Sequence, residues 1–186
     1  MIVIMETRCE PEKLRRTFAL LGFDGLCATD VNGFAGGIIV GWRKEDMKVQ
    51  LVDKSFQYMH LKVSYKDGKD WLFTPIYASP YEGNKKILWD ALKSISNNMH
   101  TAWLLAGDFN DIASNAEKKG GVAASPRQCN TFLERNNSCK LIDLCYVGSK
   151  YTWRGPLFHG GGRIFERLDR ALCNDVWRLE FCRGIC

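Results

Sequence analysis

The sequence predicts a mixed α/β sandwich, and two observations carry that reading. Helix-length stretches with one apolar face punctuate a series of short strand-like runs. Two of the links between those runs carry hairpin dipeptides rather than helices, which a regular doubly wound sheet would not show.

In chain order, the opening run Met1-Ile2-Val3-Ile4-Met5 is continuously apolar and reads as a fully buried strand. Pro11 suits the first turn of a helix. Leu14, Phe18 and Leu21 recur at spacings of four and three, so one face packs inward, and Gly22 ends the helix. Strands are expected at 26–29, 37–42, 49–52, 58–65 and 71–77, with Asn32-Gly33 and Asp67-Gly68 as hairpin signals. A second helix is expected over 85–97, its stripe made of Ile87, Leu88, Ala91, Leu92 and Ile95. Residues 103–106 read as a short buried strand ending at Gly107. A third helix covers 127–136, late strands fall at 151–153 and 168–172, and Asp175 caps a final turn at 176–181. Without repeat, low-complexity tract or linker, 1–186 reads as a single domain.

Composition narrows the class. A chain of 186 residues with 46% apolar and 25% charged side chains can build a sizeable core, which argues against disorder. The net charge of +5 is compatible with a polyanionic partner, and equally with an ordinary solvated surface. Eight cysteines include no Cys-x-x-Cys pair and lie far from the three histidines, which speaks against zinc. No signal peptide is visible at the start, so the cysteines read as reduced thiols of an intracellular protein, nuclear or cytoplasmic. No apolar run approaches the roughly 20 residues that span a bilayer.

Four segments could carry chemistry. After an apolar run, Gly107-Asp108-Phe109-Asn110 delivers a carboxylate and an amide two residues apart. On an extended chain the two point the same way, able to deprotonate a water and position a phosphoryl oxygen; the pair also suits a simple polar turn. Glu6 follows the first strand, where a carboxylate can hold a hard cation or merely precede a helix. Tyr77 ends a strand before a turn, its hydroxyl placed to donate to phosphate. Asp169 and Arg167 are spaced to share one strand face; the Asp could orient a histidine, or the two could form a surface ion pair.

Together and in order, the stretches Met5-Glu6-Thr7, Gly33-Phe34-Ala35-Gly36-Gly37, Tyr77-Ala78-Ser79-Pro80, Gly107-Asp108-Phe109-Asn110, the loop from Glu117-Lys118 to Gly121, Tyr151-Thr152-Trp153 and Glu166-Arg167-Leu168-Asp169-Arg170 span nearly the whole chain. The sequence resembles the endonuclease domain of non-LTR retrotransposons, plant ones in particular, within the endonuclease/exonuclease/phosphatase superfamily that includes apurinic/apyrimidinic endonucleases. That resemblance implies a four-layer sandwich of two mixed β-sheets flanked by helices. It implies Mg²⁺-assisted (or Mn²⁺-assisted) cutting of a DNA strand, without a small-molecule cofactor. By it, Glu6 binds the metal and Tyr77 contacts phosphate. Asp108 activates water, Asn110 orients water or substrate, and Asp169 orients a catalytic histidine. Lys118, Lys119 and Arg167 are the expected nucleic-acid contacts, and the +5 charge with these residues and Arg163, Arg170 and Arg178 would also suit a nucleic-acid-binding module without catalysis.

The resembled pattern opens on a strand bearing an Asn and closes on a Ser-Asp-His segment; neither is present here. The expectation is thus an incomplete domain lacking the first and last strands. His60, His100 and His159 occupy no comparable place, so the expected activity is poor or lost. A non-catalytic nucleic-acid-binding relic, a phosphatase of the same superfamily and a translated fragment without selected function are the competing readings.

Overall fold

The computed structural model describes residues 1–7, 10–29, 37–66, 68–157 and 162–181. In chain order its elements are β1 (Ile2–Met5), α1 (Pro11–Leu20), β2 (Gly25–Ala28), β3 (Ile38–Trp42), β4 (Met47–Lys54), β5 (Met59–Tyr65), β6 (Trp71–Tyr77), α2 (Glu82–Ser96), β7 (Trp103–Asp108), β8 (Lys118–Lys119), α3 (Pro126–Ser138), β9 (Ile142–Asp143), β10 (Trp153–Arg154), β11 (Phe165–Glu166), β12 (Asp169–Cys173) and α4 (Asp175–Phe181), with a 3-10 turn at Asn115–Glu117.

The period-two alternation of β5, β6 and β7 decides the layering. Met59, Leu61 and Val63 on β5, with Trp71 and Phe73 on β6, point to one side and meet Ile38 and Val40 of β3. Tyr58, Ile76, Trp103 and Leu105 point to the other side and meet Leu88, Trp89 and Leu92 of α2 and Phe132 of α3. A small sheet of order β1-β3-β2 thus packs on a six-stranded sheet of order β4-β5-β6-β7-β12-β9. On the far side of the small sheet lies α1: a Cβ on Gly41 would stand 2.4 Å from the Phe18 ring. Helix, sheet, sheet and helices make the four layers. Each fully buried Leu, Ile or Phe adds roughly 1.5–3 kcal/mol of apolar transfer energy to this arrangement.

The α/β sandwich follows the sequence, with corrections. The small sheet is wholly antiparallel. In the large sheet the pairing of β6 with β7 is parallel, the two strands joined by the crossover helix α2, and the remaining pairings are antiparallel. A third, short antiparallel sheet, β10-β11-β8, lies outside both; its strands are two residues each and carry no periodicity to read. The opening strand is not fully buried: β1 is an edge strand, and Ile4 is 38% exposed. Helix α2 begins one turn earlier than expected, at Glu82; Ile87 faces solvent while Trp89 enters the core. The last helix is capped by Asn174, whose Oδ1 accepts from the Trp177 N–H at 2.9 Å; Asp175 is already its first residue. Asn32-Gly33, Asp67, most of the Gly33–Gly37 stretch and His159 lie outside the described residues.

Candidate active site

Three adjacent strands carry one polar side chain each at the same level. Tyr77 on β6 pairs in register with Asp108 on β7, and Asp108 pairs with Asp169 on β12. Paired residues project from one face of a sheet, their strands about 4.8 Å apart. That face is the one turned toward the small sheet, where Tyr77, Leu104 and Ala106 pack. The small sheet contributes the end of β1: Glu6 turns the chain with φ 54°, a left-handed value unusual for a non-glycine residue.

Gly107 allows the sheets to close here. Its φ is +141°, and a Cβ on it would stand 2.1 Å from the Ile76 carbonyl oxygen and 2.4 Å from Met5 Cε. The result is an open cleft of ≈ 580 Å³ whose walls include Glu6, Tyr77, Asp108, Asn110 and Asp169, together with Trp153 and Glu166. Five residues spread over more than 160 positions of sequence therefore stand around one opening.

Short hydrogen bonds order the cleft. The Tyr77 hydroxyl donates to Glu6 Oε1. The chain is not extended through Asn110, as equal facing of Asp108 and Asn110 would require; Asn110 has φ 49°. Its backbone N–H donates to Asp108 Oδ1 at 2.7 Å, closing an Asx-type turn. Its side-chain Nδ2 donates to the Ala78 carbonyl at 2.7 Å and to Asp108 Oδ2 at 3.3 Å. The polar-turn and catalytic readings of this pair thus coexist, since the turn brings the amide back onto the carboxylate. The Thr152 hydroxyl accepts from the Leu168 and Asp169 backbone N–H groups, both at 3.0 Å, and fixes the start of β12.

Burial pushes the Asp108 carboxyl up to about 6, and the facing carboxylates of Asp169 and Glu6 add to the effect; the Asn110 N–H and Lys85 oppose it. Glu166 is paired with Lys118 at 2.7 Å.

Two expected nucleic-acid contacts are corrected. Arg167 is 5% exposed, and its guanidinium donates to Glu117 Oε1 and Asp143 Oδ1, both at 2.7 Å. Arg170 donates to Glu117 Oε2 at 2.7 Å and Asp143 Oδ2 at 2.9 Å. Both arginines are consumed inside the protein, so Arg167 forms neither a phosphate contact nor a surface pair with Asp169. Lys118 is half-committed to Glu166, while Lys119 is exposed.

Neither described histidine approaches Asp169. His60 is buried with its Nδ1 2.8 Å from Thr74 Oγ1, which also accepts from Trp103 Nε1; His100 is exposed beyond α2. Among the described residues no group of three or more His, Cys, Asp or Glu side chains is placed to hold a metal by itself.

The sequence did not point to Gln57 or Lys85. Gln57 is buried: its side-chain Nε2 donates to the Asn84 carbonyl at 2.9 Å, and its Oε1 accepts from the Ser79 N–H at 2.8 Å, tying down the loop after Tyr77. Lys85 reaches the turn after Asp108. A polar residue in a turn or at a helix start was the only sequence signal, and it is shared by many surface residues.

The family described as Endonuclease/Exonuclease/phosphatase matches residues 2–184. No curated protein matches the chain in sequence. Among solved structures, the endonuclease domain of TRAS1, a telomere-specific non-LTR retrotransposon, superposes with a TM-score of 0.64 at 14% identity, over 94% of this chain and 86% of that one. TDP2 of D. rerio, complexed with single-strand DNA product, gives 0.56 at 12% identity over 92% and 70%. The human Nocturnin catalytic domain, with bound sulfate anion, gives 0.54 at 12% over 93% and 68%.

Proposed function

We propose, because the chain belongs to the endonuclease/exonuclease/phosphatase family, that its acidic cleft hydrolyses phosphodiester bonds of DNA as an endonuclease of the non-LTR retroelement type. The observation that carries this reading is the juxtaposition of Tyr77, Asp108 and Asp169 on three neighbouring strands with Glu6 opposite. The TRAS1 domain and the DNA-bound TDP2 support DNA as the substrate class, and the Gly33–Gly37 and Arg167–Arg170 stretches resemble retroelement nucleases more than phosphatases.

A phosphate entering the cleft meets like charge on Glu6, Asp108 and Asp169, so a divalent cation belongs in the reading. The donors fit Mg²⁺: hard carboxylate oxygens of Glu6, Asp108 and Asp169 line an open cleft and suit an ion that keeps several waters. Glu6, steadied by the Tyr77 hydroxyl, would hold it. Such an ion, when bound, offsets charge on the scissile phosphate and leaving oxygen.

The protein supplies the base. Asp108 takes the proton of a water aligned on the phosphorus, and a carboxyl lifted to about 6 is a stronger base than an ordinary one while still ionised at neutral pH. Both Nδ2 protons of Asn110 are engaged, by Ala78 and Asp108, so its amide oxygen is the atom left to accept from that water. Impaired turnover stays part of the proposal; among the described residues Asp169 meets no imidazole. The reading as a non-catalytic nucleic-acid module is weakened by the loss of Arg167 and Arg170 to buried pairs.

Nicking of supercoiled plasmid in Mg²⁺, abolished in Asp108→Ala, is the expected result. Salt-sensitive DNA binding without nicking supports the non-catalytic module instead. Hydrolysis of a small phosphomonoester with no cutting of DNA supports a phosphatase.

A further inference from the structure

Lys85 sits in the first turn of α2, a position that ordinarily favours acids and solvent. Here its side chain is only 7% exposed. Its ammonium donates to Asp111 Oδ1 at 2.7 Å and to the Asn110 backbone carbonyl at 2.7 Å. The Asp111 side chain is 13% exposed, and its second oxygen is buried with no hydrogen-bond partner. The lysine head is thus mostly enclosed, although Lys85 and Asp111 border a neighbouring pocket. It is committed to the two residues that follow the Asp108 turn.

That turn is conformationally demanding. Asn110 stands in the left-handed region and must present its N–H to Asp108 and its side-chain amide to Ala78 together. A peptide in that conformation directs the Asn110 carbonyl away from the regular sheet ladder, and Lys85 is the donor that receives it. The loop on the other side is fastened in the same manner, since Gln57 grips Ser79 and Asn84 while the Ala78 N–H donates to the Asp108 carbonyl at 2.8 Å. Helix α2 is rooted in the core by Leu88, Trp89 and Leu92. Its N-terminus thus offers a rigid post from which one side chain can hold the catalytic turn.

We infer that Lys85 is a positioning residue that locks the Asp108–Asn110 turn in its reactive geometry through the Asn110 carbonyl, with Asp111 as the buried counter-charge that keeps the ammonium in place. The catalytic half of this inference rests on the hydrolytic reading of the cleft; the geometric half does not.

The test uses Lys85→Met and the double variant Lys85→Met/Asp111→Leu, which replaces the buried pair by apolar groups and so avoids leaving a lone buried charge. Thermal melting establishes that the variants are folded, and plasmid nicking and hydrogen exchange are then measured. A misplaced water-activating turn is expected to lower kcat about 100-fold with KM within about threefold. The Asn110 backbone amide is expected to exchange at least about 10-fold faster than in the native chain, with the amides of β5 unchanged. Lys86→Met, at the exposed neighbouring lysine, leaves both readouts unaltered. Unchanged Asn110 exchange in the folded double variant overturns the inference, as does a loss of activity that falls entirely on KM. Absence of nicking by the native protein would remove the hydrolytic reading alone; the exchange of Asn110 then decides whether Lys85 locks the turn.

Discussion

The segment Glu166-Arg167-Leu168-Asp169-Arg170 serves two regions that treat charge in opposite ways. Toward the core, Arg167 and Arg170 meet Glu117 and Asp143, two cations against two anions with four short salt bridges of 2.7–2.9 Å. The Arg170 guanidinium also lies 4.8 Å over the Phe132 ring. Burial works to raise the Glu117 and Asp143 carboxyls, yet the arginines outweigh it and hold both below the usual range. Toward the cleft, Asp169 faces Asp108 across the ladder, with Glu6 near and no guanidinium among the lining residues. Burial and like charge there raise Asp108 instead. Cancelled charge welds the 3-10 turn, β9 and β12 into one body. The raised Asp108 carboxyl is a local cost, and under the hydrolytic reading proposed above this is where a divalent cation and a phosphate would be accommodated.

Breaking the balanced region has the largest expected effect. Arg170→Leu leaves Glu117 and Asp143 sharing a single buried arginine, and the expected loss is about 3–5 kcal/mol of unfolding free energy, read by urea denaturation. A loss under about 1 kcal/mol would mean the cluster is no better than a surface pair.

The unbalanced region is expected to respond with the opposite sign. Asp108→Asn removes a carboxylate held at a disadvantage and raises stability by about 1–2 kcal/mol at pH 7.5, while nicking disappears. The sign follows from linkage. The folded carboxyl, at about 6, lies above its ordinary 3.8. The folded state therefore binds the proton more tightly. The penalty is absent below about pH 4, grows between the two values and is complete above about pH 6. Paired melts of the native and Asp108→Asn proteins at pH 3.5 and 7.5, with converging stabilities at the lower pH, check this; an equal difference at both sharpens suspicion of simple repacking.

The third effect is graded. If Asp108 is the base, the nicking rate falls about tenfold per pH unit below about 6. A flat rate from pH 5 to 8 would separate the raised carboxyl from the chemistry and leave the comparison a purely structural one.

Much of the fold was legible in local pattern. The spacing of Phe18 and the stripe of Leu88, Leu92 and Ile95 marked helices, and β6 was readable to the residue. Glu6 and Asp108 were also legible, because each follows or ends an apolar run where a strand delivers a side chain to a sheet margin, whereas Asp169 opens its strand. What local pattern could not supply was compensation. Arg167 looks like a phosphate contact and Lys85 like an ordinary helix-start lysine until Glu117, Asp143 and Asp111 arrive from 50, 24 and 26 residues away. Equally, nothing near Ile2–Met5 announces an edge strand, because edge or interior is a property of the neighbours that pair with it.

Residue order thus set where the chain is helical or extended, which faces are apolar, and which chemical groups stand at strand ends, since these depend on periods of two and 3.6 within one segment. The packing of remote segments set which charges are cancelled, which side of the sheet becomes a cleft, and that Asn110 returns onto Asp108 by a left-handed turn. The physical reason is range: periodicity is written in a few consecutive residues, whereas the electrostatic fate of a side chain depends on partners brought beside it by the fold.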